Sequence, residues 1–287
     1  MARRTLRDLL TAHAQGTRWV MTTAYDFPTA HLAEAAGVDL ILVGDSLGQV
    51  VYGEPDTVTV TLDDIVRHAR AVARGASETF VVADLPFLTY QVSSEEALRN
   101  AGRLMAEARV QAVKLEGGRS VAPTVARLVD AGIPVMAHLG FTPQSVYRFG
   151  GYTVQGRTEE AAEAMYLDAT ALQDAGAFAL VLEMVPAPLA AWLSGRLKMP
   201  TIGIGAGPGT GGQVLVLHDM LGLYVGRSPR FAKRYAEVGR MVQEALTQYA
   251  EDVRSGTFPG PEHQFDMKSE VLDHLTARYP GTPGEPS

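Results

Sequence analysis

The chain has 287 residues, a formal net charge of −7 and a 46% share of hydrophobic residues, as expected of a globular protein with a large core. The acidic balance argues against a broad surface for nucleic acid. Because the sequence contains no cysteine, disulfides, thiolate metal ligands and a cysteine nucleophile are excluded, which fits a cytoplasmic protein.

The two termini give further expectations. Residues 1–16 are basic but lack the continuous apolar segment of a signal peptide. No stretch approaches the ~20 consecutive apolar residues of a membrane-spanning helix, so we expect no membrane span. Residues 277–287 are rich in Pro and Gly, which predicts a frayed tail.

Apolar runs of strand length recur along the chain, each bounded by Gly or Pro. Several are almost continuously apolar, which is typical of parallel strands covered on both faces. The runs lie at 19–26, 38–45, 79–86, 111–118, 133–140, 178–185 and 200–207.

Helical patterns separate these runs. Residues 61–76 begin with Thr followed by acids, and 93–108 begin with a Ser-x-x-Glu pattern, both of which favour a helix start. Two further segments, 120–132 and 158–176, end in Gly, the common helix stop. Helices therefore alternate with the predicted strands.

This alternation predicts a parallel α/β fold. An eighth strand at 212–219 or at 221–226 would make an eight-stranded (β/α)8 TIM barrel, the leading topology. Periodicity alone does not separate this barrel from a doubly wound open sheet. Since no linker-like segment interrupts the chain, we predict a single barrel domain over 1–287 with a C-terminal helical extension and flexible tail from about residue 251.

Ionisable side chains stand at or near the carboxyl ends of the predicted strands. In a TIM barrel these ends meet at one mouth, where active sites lie, so residues distant in sequence would share a pocket. The residues at these ends are Asp26, Asp45, Asp84, Glu116, His138 and Glu183.

A hard divalent cation would relieve the repulsion between such carboxylates. Asp45, Asp84 and Glu116 supply oxygen ligands that suit Mg²⁺, whereas the absence of Cys disfavours a Zn²⁺ site. A single acid at a strand end is more often a helix cap or loop hydrogen-bonder, which is our interpretation of Asp26. Three acids on successive strands favour a metal site.

Three more ionisable residues are candidates for roles in the site. Lys114 and His138 each have two interpretations, and Glu183 has one. Lys114 and Glu116 lie on the same face of a strand, so Lys114 either forms a buried salt bridge or holds a substrate carboxylate or enolate. His138 is either a satisfied core histidine or a donor to a developing oxyanion. Glu183, apart in sequence from the acid trio, is the best candidate for a general base.

The stretch 203–213 is rich in glycine and contains the pattern Gly207-x-Gly209-x-x-Gly212 of dinucleotide-binding loops. It follows the seventh predicted strand, and no clear helical pattern comes after it. We therefore interpret it as a loop or tight turn and not as a nucleotide site.

Specific strings then identify a family. "TAYDFPTA", "LVGDSLGQVVYG", "VVADLPF", "VKLEGG", "AHLGFTPQSVYRFGGYTVQGR", "LVLEMVP", "IGIGAG", "GQVLVLHDMLGL" and "PRFAKRYA" run in order from residue 23 to 236. The match is specific, because no general structural requirement explains the residues of the long string that begins at residue 137. The chain resembles the ketopantoate hydroxymethyltransferase family.

This resemblance implies a TIM barrel of the phosphoenolpyruvate/pyruvate type that uses Mg²⁺. It also implies transfer of a one-carbon unit from methylenetetrahydrofolate to 3-methyl-2-oxobutanoate, the first committed step of pantothenate biosynthesis, by a large homo-oligomer, commonly a decamer. By motif, the family's metal positions correspond to Asp45, Asp84 and Glu116. Its keto-acid positions correspond to the two aspartates, Ser46 and Lys114. Its proton acceptor corresponds to Glu183, and a pocket histidine corresponds to His138.

One departure and two alternatives accompany the resemblance. Gly211 stands where the family usually has Asp before Gly-Gln. A lyase of the isocitrate lyase or phosphonopyruvate hydrolase kind is disfavoured, because the Cys-containing loop of those lyases is absent. A catalytically silent barrel that senses a metal-chelated acid is disfavoured by the intact set of ionisable residues. Residues 146–157 and the C-terminal part are candidates for folate binding only by elimination.

Overall fold

A computed structural model describes residues 3–224, 226 and 228–281. Eight parallel strands pair in chain order, and β8 pairs with β1, so the sheet closes into a barrel. The predicted (β/α)8 TIM barrel is confirmed, and the open sheet is wrong. The strands are β1 (Trp19–Thr23), β2 (Leu40–Val43), β3 (Phe80–Asp84), β4 (Ala112–Glu116), β5 (Val135–Gly140), β6 (Ala179–Glu183), β7 (Thr201–Ile204) and β8 (Gly212–Leu215).

The eighth strand lies in the first of its two predicted locations, 212–219. In the second location, 221–224 is not strand, and Val225 lies outside the described residues. The helices are α1 (Leu6–Ala14), α2 (Phe27–Ala35), α3 (Leu47–Val50), α4 (Leu62–Gly75), α5 (Ser94–Ala108), α6 (Ala122–Asp130), α7 (Val146–Phe149), α8 (Glu159–Asp174), α9 (Ala187–Ser194), α10 (Leu217–Met220), α11 (Val238–Ser255) and α12 (Ser269–Arg278).

Local side-chain caps begin several of these helices. The Thr61 hydroxyl accepts the Asp64 N–H, and the Asp64 carboxylate accepts the Thr61 N–H, which forms a capping box at α4. The carboxylate of Asp26 accepts the Thr29 N–H at 2.8 Å, at the start of α2. Asp26 is therefore a helix cap, as its sequence context indicated.

Two apolar clusters follow from the alternation of side chains along each strand. Leu40 and Leu42 point into the barrel, whereas Ile41 and Val43 pack against the surrounding helices. Helix α1 covers the amino-terminal end of the barrel, where the Trp19 indole Nε1 donates to the Leu9 carbonyl at 3.1 Å. The inward positions at the other, carboxyl end of the strands are those that carry the ionisable residues.

Two compact units divide the chain, Met1–Glu237 and Val238–Ser287. The second unit contains α11 and α12. The predicted start of a C-terminal extension, about residue 251, falls within α11, and residues 282–287 of the predicted tail lie outside the described residues. Across the described part of the chain, no helix has both the length and the apolar character needed to span a bilayer.

Candidate active site

A cavity of about 630 Å³ lies at the carboxyl ends of the strands, which we call the barrel mouth. Its wall includes every candidate site residue that the sequence indicated. Asp45 and Ser46 follow β2, while the others end or lie within β3, β4, β5 and β6. These residues are Asp45, Ser46, Asp84, Lys114, Glu116, His138 and Glu183.

Lys114 is buried at the centre of this group. Its Nζ lies 2.8 Å from Asp84 Oδ1 and 3.9 Å from Glu116 Oε1. Burial lowers the pKa of Lys114, but the neighbouring carboxylates outweigh it and hold that pKa above the ordinary value for lysine. The salt bridge that the sequence offered as one interpretation is present, and the lysine keeps its charge.

His138 links two carboxylates. Its Nδ1 lies 3.2 Å from Glu116 Oε1, and its Nε2 lies 3.3 Å from Glu183 Oε2. Burial and the charge of Lys114 lower the pKa of His138, but the two carboxylates raise it to about 9. This shift favours the imidazolium form of His138 at neutral pH. Its contacts with two carboxylates are compatible with both roles that the sequence offered, a satisfied core histidine and a donor to an oxyanion.

Two residues that sequence reasoning missed fix the carboxylates. The Gln144 Nε2 donates to Asp45 Oδ2 at 2.8 Å, and the Gln144 backbone N–H donates to Glu116 Oε2 at 3.1 Å. The Tyr90 hydroxyl donates to Gln144 Oε1 at 2.8 Å. Both residues lie beyond the strand ends, so no strand pattern marked them.

Ser46 also has a partner that the sequence did not indicate. The Tyr25 hydroxyl lies 2.7 Å from Ser46 Oγ, and burial raises the pKa of Tyr25 so that the phenol stays neutral. This contact joins the end of β1 to the loop after β2. It holds the serine hydroxyl at the cavity wall.

Comparisons with known proteins place the chain in a family. A family model described as ketopantoate hydroxymethyltransferase matches residues 3–261. The chain belongs to this family. It is therefore an enzyme, a hydroxymethyltransferase, as the motifs indicated.

Named members of the family are similar over nearly their whole length. The 3-methyl-2-oxobutanoate hydroxymethyltransferase of Chloroflexus aurantiacus is 58% identical over 268 residues, which cover 93% of this chain and 95% of that protein. The enzyme of the same name from Thermus thermophilus is 57% identical over 263 residues, which cover 92% of this chain and 100% of that protein.

Solved structures show the same fold at much lower identity. Phosphonopyruvate hydrolase in complex with oxalate and Mg²⁺ superposes with a TM-score of 0.60 at 15% identity, covering 97% of this chain and 100% of that chain. A 2,3-dimethylmalate lyase of the PEP mutase/isocitrate lyase superfamily superposes with a TM-score of 0.58 at 19% identity. The match covers 95% of this chain and 94% of that chain. These likenesses support the (β/α)8 barrel fold.

The charges at the mouth of this family member favour a bound cation. Burial raises the pKa of Asp45, and repulsion from Asp84 and Glu116 raises it further. Burial likewise raises the pKa of Asp84, although Lys114 opposes the shift. Acidic side chains outnumber basic ones in the cavity lining, where Lys114, His138 and Arg230 face five carboxylates: Asp45, Asp84, Glu116, Glu183 and Asp219.

The donors in this set are oxygens, which suit Mg²⁺. Each of the three acids already has partners. Both oxygens of Glu116 accept hydrogen bonds, the two oxygens of Asp84 contact Lys114 Nζ and the Asp45 N–H, and Asp45 Oδ2 accepts from Gln144. Within 3–224, 226 and 228–281, no three or more His, Asp or Glu side chains form a ready metal cluster. Asp45, Asp84 and Glu116 therefore do not form a ready three-carboxylate cluster, and an ion at this site would need ligands other than protein side chains to complete its shell.

Several glycines of the glycine-rich stretch lie in close contact with neighbouring elements, which agrees with its interpretation as a loop or tight turn. A Cβ at Gly209 would lie 2.5 Å from Ala191 Cβ, and one at Gly212 would lie 2.7 Å from the Trp19 carbonyl oxygen. At Gly211, where the family usually has Asp, a Cβ would lie 2.5 Å from His13 Cε1. In this chain, the His13 ring occupies the space that a larger residue would need.

Proposed function

We propose that this enzyme transfers a hydroxymethyl unit from methylenetetrahydrofolate to 3-methyl-2-oxobutanoate and forms 2-dehydropantoate, in a Mg²⁺-dependent reaction. The reaction would be the first committed step of cytoplasmic pantothenate biosynthesis. The observation that carries the proposal is the cavity itself, where oxygen donors, a buried lysine and a less buried carboxylate face one another. Family membership supports the same reaction.

Asp45 and Asp84 would hold Mg²⁺ directly, and Glu116 would be the third carboxylate of the set. When bound, the ion supplies Lewis-acid polarisation of the substrate's keto group, which makes the adjacent carbon more acidic. The Gln144 amide orients Asp45 for this role through its 2.8 Å hydrogen bond. His138 and the Gln144 backbone orient Glu116.

The keto acid would lie between Ser46, Lys114 and the two aspartates. Ser46 Oγ, positioned by Tyr25, can donate a hydrogen bond to the substrate carboxylate. Lys114 lies low in the cavity with its charge fixed by Asp84, so it can stabilise the negative charge of the enolate. Both groups favour the ionised substrate and its enolate.

Glu183 would act as the general base. Its side chain is 14% exposed, compared with 3% for Glu116, so it is the more accessible of the two carboxylates that flank His138. It takes the proton from the carbon next to the keto group, and the C–H electron pair becomes the enolate. The imidazolium of His138 holds the Glu183 carboxylate in place.

The enolate carbon then forms a bond to the one-carbon unit, which is at the oxidation level of formaldehyde. Overall, water supplies the hydroxyl oxygen and tetrahydrofolate is released. The barrel mouth positions the enolate and excludes bulk water from its buried side. Each residue of the predicted set therefore has one task in a single reaction.

The decisive experiment is an assay of tetrahydrofolate-dependent ketopantoate formation with and without Mg²⁺. We expect turnover with the ion and at most trace turnover in the presence of a chelator. A protein that binds 3-methyl-2-oxobutanoate and Mg²⁺ but never turns over would instead be the silent sensor.

We also propose that the enzyme works as a homo-oligomer, and specifically as a homodecamer. The second unit supports self-association because α11 and α12 expose large apolar side chains, including Met241, Leu246, Tyr249 and Leu272. Light scattering on the purified protein would give the number of subunits. A monomer at micromolar concentration would contradict the proposal.

A further inference from the structure

The cavity extends beyond the residues that the keto acid needs. A volume of about 630 Å³ falls in the range of about 300–1,000 Å³ that is typical of sites for drug-sized ligands. Its outer wall is largely aromatic and apolar and has no role in the proton transfer. We use the term outer wall for Tyr152, Met184, Tyr224, Pro229 and Phe231; Ser228 and Arg230, which flank Pro229, also line the cavity.

Phe231 is held firmly against the barrel. A Cβ at Gly205 would lie 2.7 Å from Phe231 Cδ1, so the ring packs directly on the backbone that follows β7. Gly205 also has a left-handed φ of 62°, which favours glycine at this position. The backbone at Gly205 thus packs against the Phe231 ring, which lines the same cavity as the carboxylates.

An acid that the mechanism does not use lies on the same wall. Asp219, in α10 directly after β8, is 7% exposed and lines the cavity. Among the described residues, no group donates a hydrogen bond to its buried Oδ1. Burial raises the pKa of Asp219, although Ser228 and Arg234 lower it. A buried carboxylate oxygen without a donor is unfavourable unless a ligand supplies one.

We propose that Asp219 binds the pterin ring of the folate co-substrate. The Ser228 side chain hydrogen-bonds the Asp219 carboxylate, and Oδ1 is the oxygen that lacks a donor among the described residues. A pterin presents an amino group and a ring N–H side by side, and such a donor would supply the missing hydrogen bond. The flat ring also suits the aromatic surface of Phe231 and Tyr224. This inference rests on the proposed function and deepens it, because it assigns the co-substrate's place in the cavity.

Tyr152 lies on this outer wall. It belongs to residues 146–157, which the sequence offered as a candidate for folate binding only by elimination. Asp219 lies in "GQVLVLHDMLGL", a string that the proposed mechanism otherwise leaves without a role. The pterin would therefore lie above the keto acid, between β8 and the segment after β5.

The test compares tetrahydrofolate with an analogue whose pterin carries a methyl group in place of the 2-amino group. We expect the native enzyme to bind the analogue at least tenfold more weakly, since it leaves a carboxylate unpaired. The variant Asp219→Asn should raise KM for methylenetetrahydrofolate at least tenfold and abolish the preference for the amino group. Asp174→Asn, at the exposed end of α8, is the matched control and should keep both properties.

Equal binding of the two ligands by the native enzyme would overturn the inference, and this measurement requires no variant. An unchanged preference in folded Asp219→Asn, checked by thermal melting, would overturn it too. Deuterium exchange into 3-methyl-2-oxobutanoate, measured without folate, reports on the proposed function separately. No exchange by the native enzyme would refute that function, whereas normal exchange without amino-group preference would refute only the pterin site.

Discussion

Replacing Gln144 with Leu tests how the buried amide organises the carboxylates. The change removes the Nε2 hydrogen bonds to Asp45 Oδ2 at 2.8 Å and to the Leu85 carbonyl at 3.0 Å. It also leaves the Tyr90 hydroxyl without its 2.8 Å acceptor. A buried hydrogen bond to a charged group contributes about 1.5–3 kcal/mol and a neutral one about 1 kcal/mol.

The sum predicts that Gln144→Leu lowers the free energy of unfolding by about 3.5–5 kcal/mol in the metal-free protein. Urea denaturation at a fixed protein concentration measures this change through the transition midpoint. The matched control is Gln248→Leu, because Gln248 donates a similar bond of 2.9 Å to Asp252 on an exposed face of α11. We expect the control to change stability by less than about 0.5 kcal/mol.

Equal effects of the two substitutions would refute this reasoning, since they would mean that burial adds nothing to the amide–carboxylate bond. A loss of activity without loss of stability in Gln144→Leu would contradict it as well. That outcome would place the amide in the chemistry and not in the support of Asp45.

Three further predictions concern the acids. Glu183→Gln should slow deuterium exchange into 3-methyl-2-oxobutanoate by about 10²–10⁴-fold while substrate binding is retained, as calorimetry can check; near-normal exchange would exclude Glu183 as the base. Asp84→Ala should weaken Mg²⁺ binding at least tenfold, whereas Asp26→Ala, which removes only a helix cap, should not; unchanged Mg²⁺ dependence would remove Asp84 from the metal site. Glu34 accepts hydrogen bonds from the Glu78 and Thr79 N–H groups, both at 2.7 Å, and these bonds outweigh burial and lower the pKa of Glu34. Its stabilisation should be present above the ordinary glutamate pKa and be lost as the pH falls through the folded value, so Glu34→Gln should flatten the acid limb of a stability–pH curve; an unaltered limb would contradict this.

The barrel and most of its mouth could be predicted because parallel strands have a simple rule. Residues that end such strands share one edge, and closure of the sheet brings Asp45 and Glu183 to one cavity although they are far apart in sequence. The predicted strands were longer than the observed ones, because each run also included loop residues at one or both ends. Family strings then gave the reaction, which no periodicity could have supplied.

The supporting residues could not be predicted from pattern. Gln144, Tyr90 and Tyr25 reach the carboxylates from loops and short turns, whose course depends on tertiary packing. Asp219 had the right residue type, but its burial and its oxygen without a donor are properties of the folded cavity. The charge of His138 likewise depends on distances to two carboxylates that only the fold sets.

Helix α1 closes the far end of the barrel, with Leu9 and Trp19 each 2% exposed. Ligands of the carboxylate centre therefore share one entrance, and the smaller substrate must travel deeper than the larger one. For the proposed reaction, a shared entrance leads us to expect an ordered sequence in which the keto acid binds before the folate and the new hydroxy acid leaves after it.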